Sequence, residues 1–131
     1  MQPTVLIVED ADTCASTLEI VFSPLGVSVI TAMNGEQAIR LLEDGDHHLA
    51  AIVTDLEMRG MDGFELIERV RGHRVHGRIP IMVITGTSDP EAQERVQKLG
   101  ANAFFTKPYS PAAVRETMEQ WLTHANPHSN H

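Results

Sequence analysis

The sequence predicts an α/β fold, a doubly wound five-stranded parallel sheet covered on both faces by helices. Three observations predict it. Five short apolar runs, at 5–8, 27–30, 51–53, 81–84 and 103–105, recur along the chain. Each is followed by a stretch whose apolar residues repeat at helical spacing. Most of the runs are continuously apolar, as strands buried on both faces are.

The elements follow in order. Residues 5–8 (VLIV) end at Glu9-Asp10, and Ala15, Leu18, Val21 and Phe22 then form one helical face before Pro24 and Gly26 stop it. Residues 27–30 alternate in part, which predicts an edge strand. Asn34 suits an N-cap, and Ala38, Ile39, Leu41 and Leu42 make a stripe that ends at Gly45. The third strand ends at Thr54-Asp55; Phe64, Ile67 and Val70 mark a helix after Asp62-Gly63, closed by Gly72. After the fourth strand, Ser88 ahead of Pro90-Glu91 opens a helix with Val96 and Leu99 inside and Gly100 as its stop. The fifth strand leads to Ser110-Pro111 and a helix carrying Val114, Met118, Trp121 and Leu122 on one face. Trp121 reads as core, with an interface role as the alternative. One domain over 1–125 is expected, with a patternless, frayed tail at 126–131.

Composition narrows the function. A net charge of −8 and a pI near 5.2 argue against a direct grip on nucleic acid. No apolar run approaches the roughly 20 residues of a membrane span, and no basic-then-apolar leader opens the chain, so a cytoplasmic protein is expected. The single cysteine, Cys14, allows no internal disulfide, suits a reducing compartment and reads as a small buried or half-buried residue. Seven histidines include His47, His48, His73, His76, His124, His128 and His131, none in a four-ligand zinc spacing, so they read as surface residues. Arg69, Arg71, Arg74 and Arg78 read as a solvated cluster at the third helix end.

Chemistry collects at the strand ends. Glu9-Asp10, Asp55, Thr85 and Lys107-Pro108 follow strands one, three, four and five. Right-handed crossovers place those ends on one edge, where open α/β sheets bind ligands. Carboxylates about 4 Å apart repel by about 4 kcal/mol at an effective dielectric near 20, so a divalent cation explains the acids; without one, a carboxyl should keep its proton. Mg²⁺ takes such oxygen ligands. An Asp carboxylate beside it can attack a phosphoryl donor, with Lys107 and Thr85 meeting the phosphoryl oxygens and small Gly86 leaving room. Each placement alone is a common turn or cap. Their coincidence on successive units is the signal.

VLIVED (5–10), TDLEMRGMDGFEL (54–66), PIMVITG (80–86) and LGANAFFTKPYS (99–110) resemble the receiver domain of bacterial two-component response regulators. The resemblance runs from about Thr4 to about Leu122. It implies a flavodoxin-like sheet of order 2-1-3-4-5, with Asp55 as phosphoacceptor. The implied Mg²⁺ ligands are Asp10, Asp55, the Glu57 carbonyl and Glu9 through water. It further implies Thr85 and Lys107 as phosphoryl contacts, Phe104 as the switch aromatic, Glu57 and Thr87 as positions tuning dephosphorylation, and a cis Lys107-Pro108 peptide. Implied partners are a sensor histidine kinase or histidine phosphotransfer protein and a separate output protein, with a phosphorylation-dependent homodimer as an option; nucleic acid and membrane are not among them. The protein would catalyse only its own phosphorylation and dephosphorylation.

Three departures from the family pattern stand out. Arg59 replaces the usual proline, predicting a looser loop after the acceptor. Phe104 replaces the commoner tyrosine, so the switch would report by burial alone. Asn102-Ala103 replaces an acidic pair used in the dimer of many DNA-binding regulators. Two rival readings are a non-switching pseudo-receiver that only binds partners and a haloacid-dehalogenase-like phosphohydrolase. The intact acid, Thr and Lys set argues against the first, and the nucleophile's place after strand three argues against the second. A nucleotide-binding flavodoxin-like protein is disfavoured by the acidic first turn, Asp10-Ala11-Asp12. A start at Met1 favours a stand-alone chain, with a piece of a larger regulator or hybrid kinase as the alternative.

Overall fold

Each apolar run forms a strand in the computed structural model, which describes residues 2–44 and 49–124. The elements are β1 (Thr4–Val8), α1 (Asp12–Phe22), β2 (Ser28–Ala32), α2 (Gly35–Asp44), β3 (Leu49–Thr54), α3 (Gly63–Arg71), β4 (Ile81–Thr85), α4 (Pro90–Leu99), β5 (Ala103–Thr106) and α5 (Pro111–His124). All strand pairs are parallel and the order is β2-β1-β3-β4-β5. β2 is an edge strand, as its partial alternation predicts, although it begins one residue later than expected, at Ser28.

Period-two alternation sorts the strand side chains between two cores. Leu6, Val8, Ile52, Ile81 and Val83 pack with Ala38, Ile39 and Leu42 of α2, Leu66, Ile67 and Val70 of α3, and Val96 of α4. On the other face Val5, Ile7, Val53, Met82 and Ile84 meet Ala15, Leu18, Val21 and Phe22 of α1 and Val114 and Met118 of α5. Fully burying one such aliphatic side chain is worth roughly 1.5–3 kcal/mol, so the two cores hold the sheet edge as a rigid frame. Trp121 is half-buried against the second core rather than enclosed by it.

Helix ends follow local chemistry. Asn34 Oδ1 accepts the Gln37 amide at 2.8 Å, and Ser110 Oγ accepts that of Ala113 at 3.2 Å. The α4 cap is Asp89, not Ser88: its Oδ1 accepts the Glu91 amide at 3.0 Å. Asp89 directly precedes Pro90, which occupies the first helical turn, so only Asp89 can reach the free amides there. Gly100 ends α4 at φ 110°, the left-handed conformation that glycine adopts without a Cβ penalty. Gly45, His47, His48 and the expected tail at 126–131 lie outside the described residues.

Candidate functional site

The strand order reverses between β1 and β3, and the crevice at a sheet's C-terminal edge opens at such a point. Glu9 and Asp55 sit there, each one residue beyond its strand and both buried. Asp55 Oδ1 accepts the backbone amides of Leu56 at 2.6 Å and Glu57 at 3.2 Å, while Oδ2 accepts from Lys107 Nζ at 2.9 Å. One carboxylate oxygen is thus fixed by the turn that follows β3, and the other faces the ammonium of Lys107, one residue beyond β5.

Lys107 reaches that position because its own amide donates to the Thr85 carbonyl at 2.8 Å, which extends the β4–β5 ladder past Thr106. The Lys107-Pro108 peptide is cis. Lys107 Nζ also donates to Glu9 Oε2 at 3.2 Å and to Cys14 Sγ at 3.7 Å. Burial by itself would lower the lysine's pKa, but the hydrogen bond and charge of Asp55, then those of Glu9, outweigh it and raise it. Burial, and then the Asp55 charge, push the Glu9 carboxyl above the usual range despite the opposing pull of Lys107. Burial thus favours the protonated form of Glu9 first, and the neighbouring Asp55 carboxylate adds to it.

Thr85 is buried at the end of β4, and its Oγ1 accepts the Thr87 amide at a long 3.4 Å. Thr87 Oγ1 in turn accepts the Asp89 amide at 3.3 Å. Gly86 is exposed, and a Cβ built there would meet nothing within 4 Å, so the space above it is open. Phe104 lies on β5 opposite Val83 and is half-buried against the core on the α4 side. Asp10 and the Glu57 side chain are exposed at the mouth.

Two groups that shape the site were missed in the sequence. Glu36, at the start of α2, accepts the Met61 amide through Oε1 at 2.9 Å, and Met61 is buried. With Asp62 Oδ1 capping α3 through the Glu65 amide at 2.9 Å, this bond anchors the Arg59-Gly60 loop close on its C-terminal side. A Cβ at Gly63 would overlap the Asp55 carbonyl oxygen and come within 2.7 Å of the Leu56 Cα. Only glycine lets α3 start hard against the acceptor. The Glu36 contact spans 25 residues and no local pattern signals it; the Asp62-Gly63 pair did mark a helix start, but not the close approach behind it.

Arg71 forms a second long-range clip. Its guanidinium donates to the carbonyls of Gly100, Gly77 and Ile79 and to Asn102 Oδ1, at 2.6–3.2 Å. Asn102 Oδ1 also accepts the Ile81 amide at 2.8 Å. Arg71 therefore does not belong to a solvated arginine face; it is half-buried and ties the end of α3 to the α4–β5 turn.

Glu9, Asp10, Asp55 and Glu57 offer oxygen donors, the hard set that suits Mg²⁺. Among the described residues no three His, Cys, Asp or Glu side chains already form a metal cage. The Lys107 ammonium stands between Glu9 and Asp55, and a divalent ion would add positive charge beside two buried carboxylates that share that one ammonium. The residues fit such an ion.

The family model of the response regulator receiver domain matches residues 5–119. The chain belongs to that family. This receiver domain is 30% identical over 106 residues to the sensor histidine kinase CheAY of Helicobacter pylori, covering 81% of this chain and 13% of that protein. It is similar to the receiver domain of a signal transduction histidine kinase from Syntrophus aciditrophicus, with a TM-score of 0.85, 29% identity and coverage of 95% and 93% of the two chains. Against the chemotaxis response regulator CheY4 of Vibrio cholerae the TM-score is 0.80 at 26% identity, covering 92% and 99%. The receiver spans only 13–15% of the length of several curated relatives, sensor kinases among them. Among the described residues no helix is long and apolar enough to cross a membrane.

Proposed function

We propose that this receiver accepts a phosphoryl group on Asp55 from a histidine kinase or histidine phosphotransfer protein and thereby changes what its α4–β5–α5 face binds. The observation that carries the reading is the pair of roles at Asp55: Oδ1 held by two backbone amides, Oδ2 by Lys107. An Asp55 carboxylate oxygen attacks phosphorus, an O–P bond forms, and the donor's N–P bond breaks. The electron pair leaves with the donor imidazole, which the relay reprotonates from water. Lys107 moves from Asp55 to the new phosphoryl oxygens, a short transfer for a flexible point charge.

Asp10, Asp55, the Glu57 carbonyl and Glu9 through water would hold Mg²⁺, which supplies neutralisation of the phosphoryl oxygens' charge. Thr85 turns its hydroxyl toward the phosphoryl group, giving up its long contact with the Thr87 amide. Gly86 leaves the entry open, and Glu57 and Thr87 flank the water path that limits the acyl phosphate's lifetime. The space Thr85 vacates admits Phe104, which reports by burial because it carries no hydroxyl. Moving such an equilibrium from 1:99 to 99:1 requires about 5.5 kcal/mol of preference. The protein catalyses only its own phosphorylation and dephosphorylation, and its output runs through a separate partner.

Phosphotransfer from a labelled kinase, followed by affinity measurement for the output partner, tests this reading. Label that survives Asp55→Asn would refute the acceptor. Equal partner affinity for both forms would refute the switch.

A further inference from the structure

We propose that Glu36 is a positioning residue for the metal site, closing a hydrogen-bonded bracket between the turn that carries the Glu57 carbonyl and the turn that carries Glu9 and Asp10. The effect on Mg²⁺ rests on the receiver reading above; the bracket itself does not. The oxygens named there for the ion come from two separate turns, Glu9 and Asp10 after β1 and Asp55 and Glu57 after β3. Mg²⁺ demands near-ideal octahedral geometry, so the spacing of those turns sets how well they bind it.

The turn after β3 contains no proline to stiffen it. Its near end is tied to Asp55, whose Oδ1 accepts the Leu56 and Glu57 amides, and the Gly63 amide donates to the Leu56 carbonyl at 3.0 Å. Its far end is tied to a different part of the fold. Glu36 Oε1 accepts the Met61 amide at 2.9 Å. Gly60, at φ 78°, passes so near that a Cβ there would lie 3.0 Å from Glu36 Oε1 and 3.3 Å from Oε2. The loop therefore folds over the whole Glu36 carboxylate.

The start of α2 is itself held in place. Asn34 Oδ1 accepts the Gln37 amide at 2.8 Å, and Gln37 Oε1 accepts the Met33 amide at 2.7 Å. The strand leading into that turn ends at Ala32, whose carbonyl accepts the Glu9 amide at 3.0 Å. A path of short bonds thus runs from Glu9 through Ala32 and the first turn of α2 to Glu36, and on to Met61 and the acceptor turn. Cutting it at Glu36 leaves both cores intact, because the Glu36 side chain is exposed. It frees the loop to leave the position that binds the ion. Apparent affinity then falls by the fraction of molecules that still hold that position.

The test titrates the full chain with magnesium chloride at constant ionic strength, following the backbone amide shifts of residues 55–63, and measures amide exchange in chelator. Exposure limits the Glu36 bond to the worth of an ordinary hydrogen bond, so Glu36→Ala should weaken Mg²⁺ binding about fivefold. In chelator it should speed exchange of the Glu57 amide by about the same factor. Glu36→Gln keeps an acceptor and loses the charge, and should stay within about twofold of wild type in both measurements. Unchanged Mg²⁺ affinity in Glu36→Ala overturns the positioning role. A Glu36→Gln as weak as Glu36→Ala assigns the effect to charge and overturns it equally. If wild type shows no shift with Mg²⁺, the metal reading of the receiver fails, and exchange still decides the bracket: faster at Glu57 in Glu36→Ala supports it, unchanged overturns it.

Discussion

Replacing Lys107 by methionine keeps the aliphatic stem and removes a cation that stands between two buried carboxylates. Nζ lies 2.9 Å from Asp55 Oδ2 and 3.2 Å from Glu9 Oε2, with the Glu9 and Asp55 side chains 5% and 9% exposed. Breaking a buried pair by deleting one partner costs about 3–5 kcal/mol. Because the Lys107 side chain is 29% exposed and water can reach the vacated site, the lower end applies, about 3 kcal/mol. A divalent ion can then take the ammonium's place without displacing it. Saturation at about 100 times the dissociation constant stabilises a protein by about 2.7 kcal/mol. Wild type gains less from the same Mg²⁺, since the ion must first pull the carboxylates from Lys107. Urea unfolding of both proteins with and without Mg²⁺ measures this, through the midpoint at constant slope. Lys107→Met should be destabilised in chelator and recover most of the loss in Mg²⁺. An equal Mg²⁺ increment in both proteins would refute the shared-cation reasoning.

Other substitutions probe the frame of the site. Gly63→Ala places a methyl against the backbone of Asp55 and Leu56, and should cost about 1–3 kcal/mol in urea unfolding while slowing phosphorylation, because α3 must retreat from the acceptor turn. Glu36→Ala removes the acceptor of the Met61 amide and should cost about 1 kcal/mol, with faster amide exchange at Met61. Arg71→Lys should lose about 2 kcal/mol despite keeping the charge, since one ammonium cannot reach the carbonyls of Gly77, Ile79 and Gly100 together.

What was legible in the sequence divides along physical lines. Strands at 5–8 and 81–84 read clearly because burial on both faces demands continuous apolar runs, and the helix stops at Gly72 and Gly100 follow from local backbone chemistry. The strand order came only through resemblance, since periodicity says nothing of which strands are neighbours. The meeting of Glu9, Asp55 and Lys107 was legible because parallel topology forces strand ends together. Contacts between distant loops were not. Glu36 binding Met61 and Arg71 binding Gly100 arise from tertiary approach, and nothing near either residue in the sequence marks them. The Arg71 misreading has that cause: four arginines near one helix end look alike until the chain folds around one. Asn102, noted only as a missing acid, proves to be the acceptor shared by Arg71 and the Ile81 amide.

The acceptor itself is tested most directly by intact-mass measurement after incubation with acetyl phosphate and Mg²⁺. Wild type should gain one hydroxylamine-labile phosphate that chelator prevents, and Asp55→Asn should gain none. Equal phosphate incorporation in the variant, or incorporation indifferent to Mg²⁺, would contradict Asp55 as the metal-assisted phosphoacceptor.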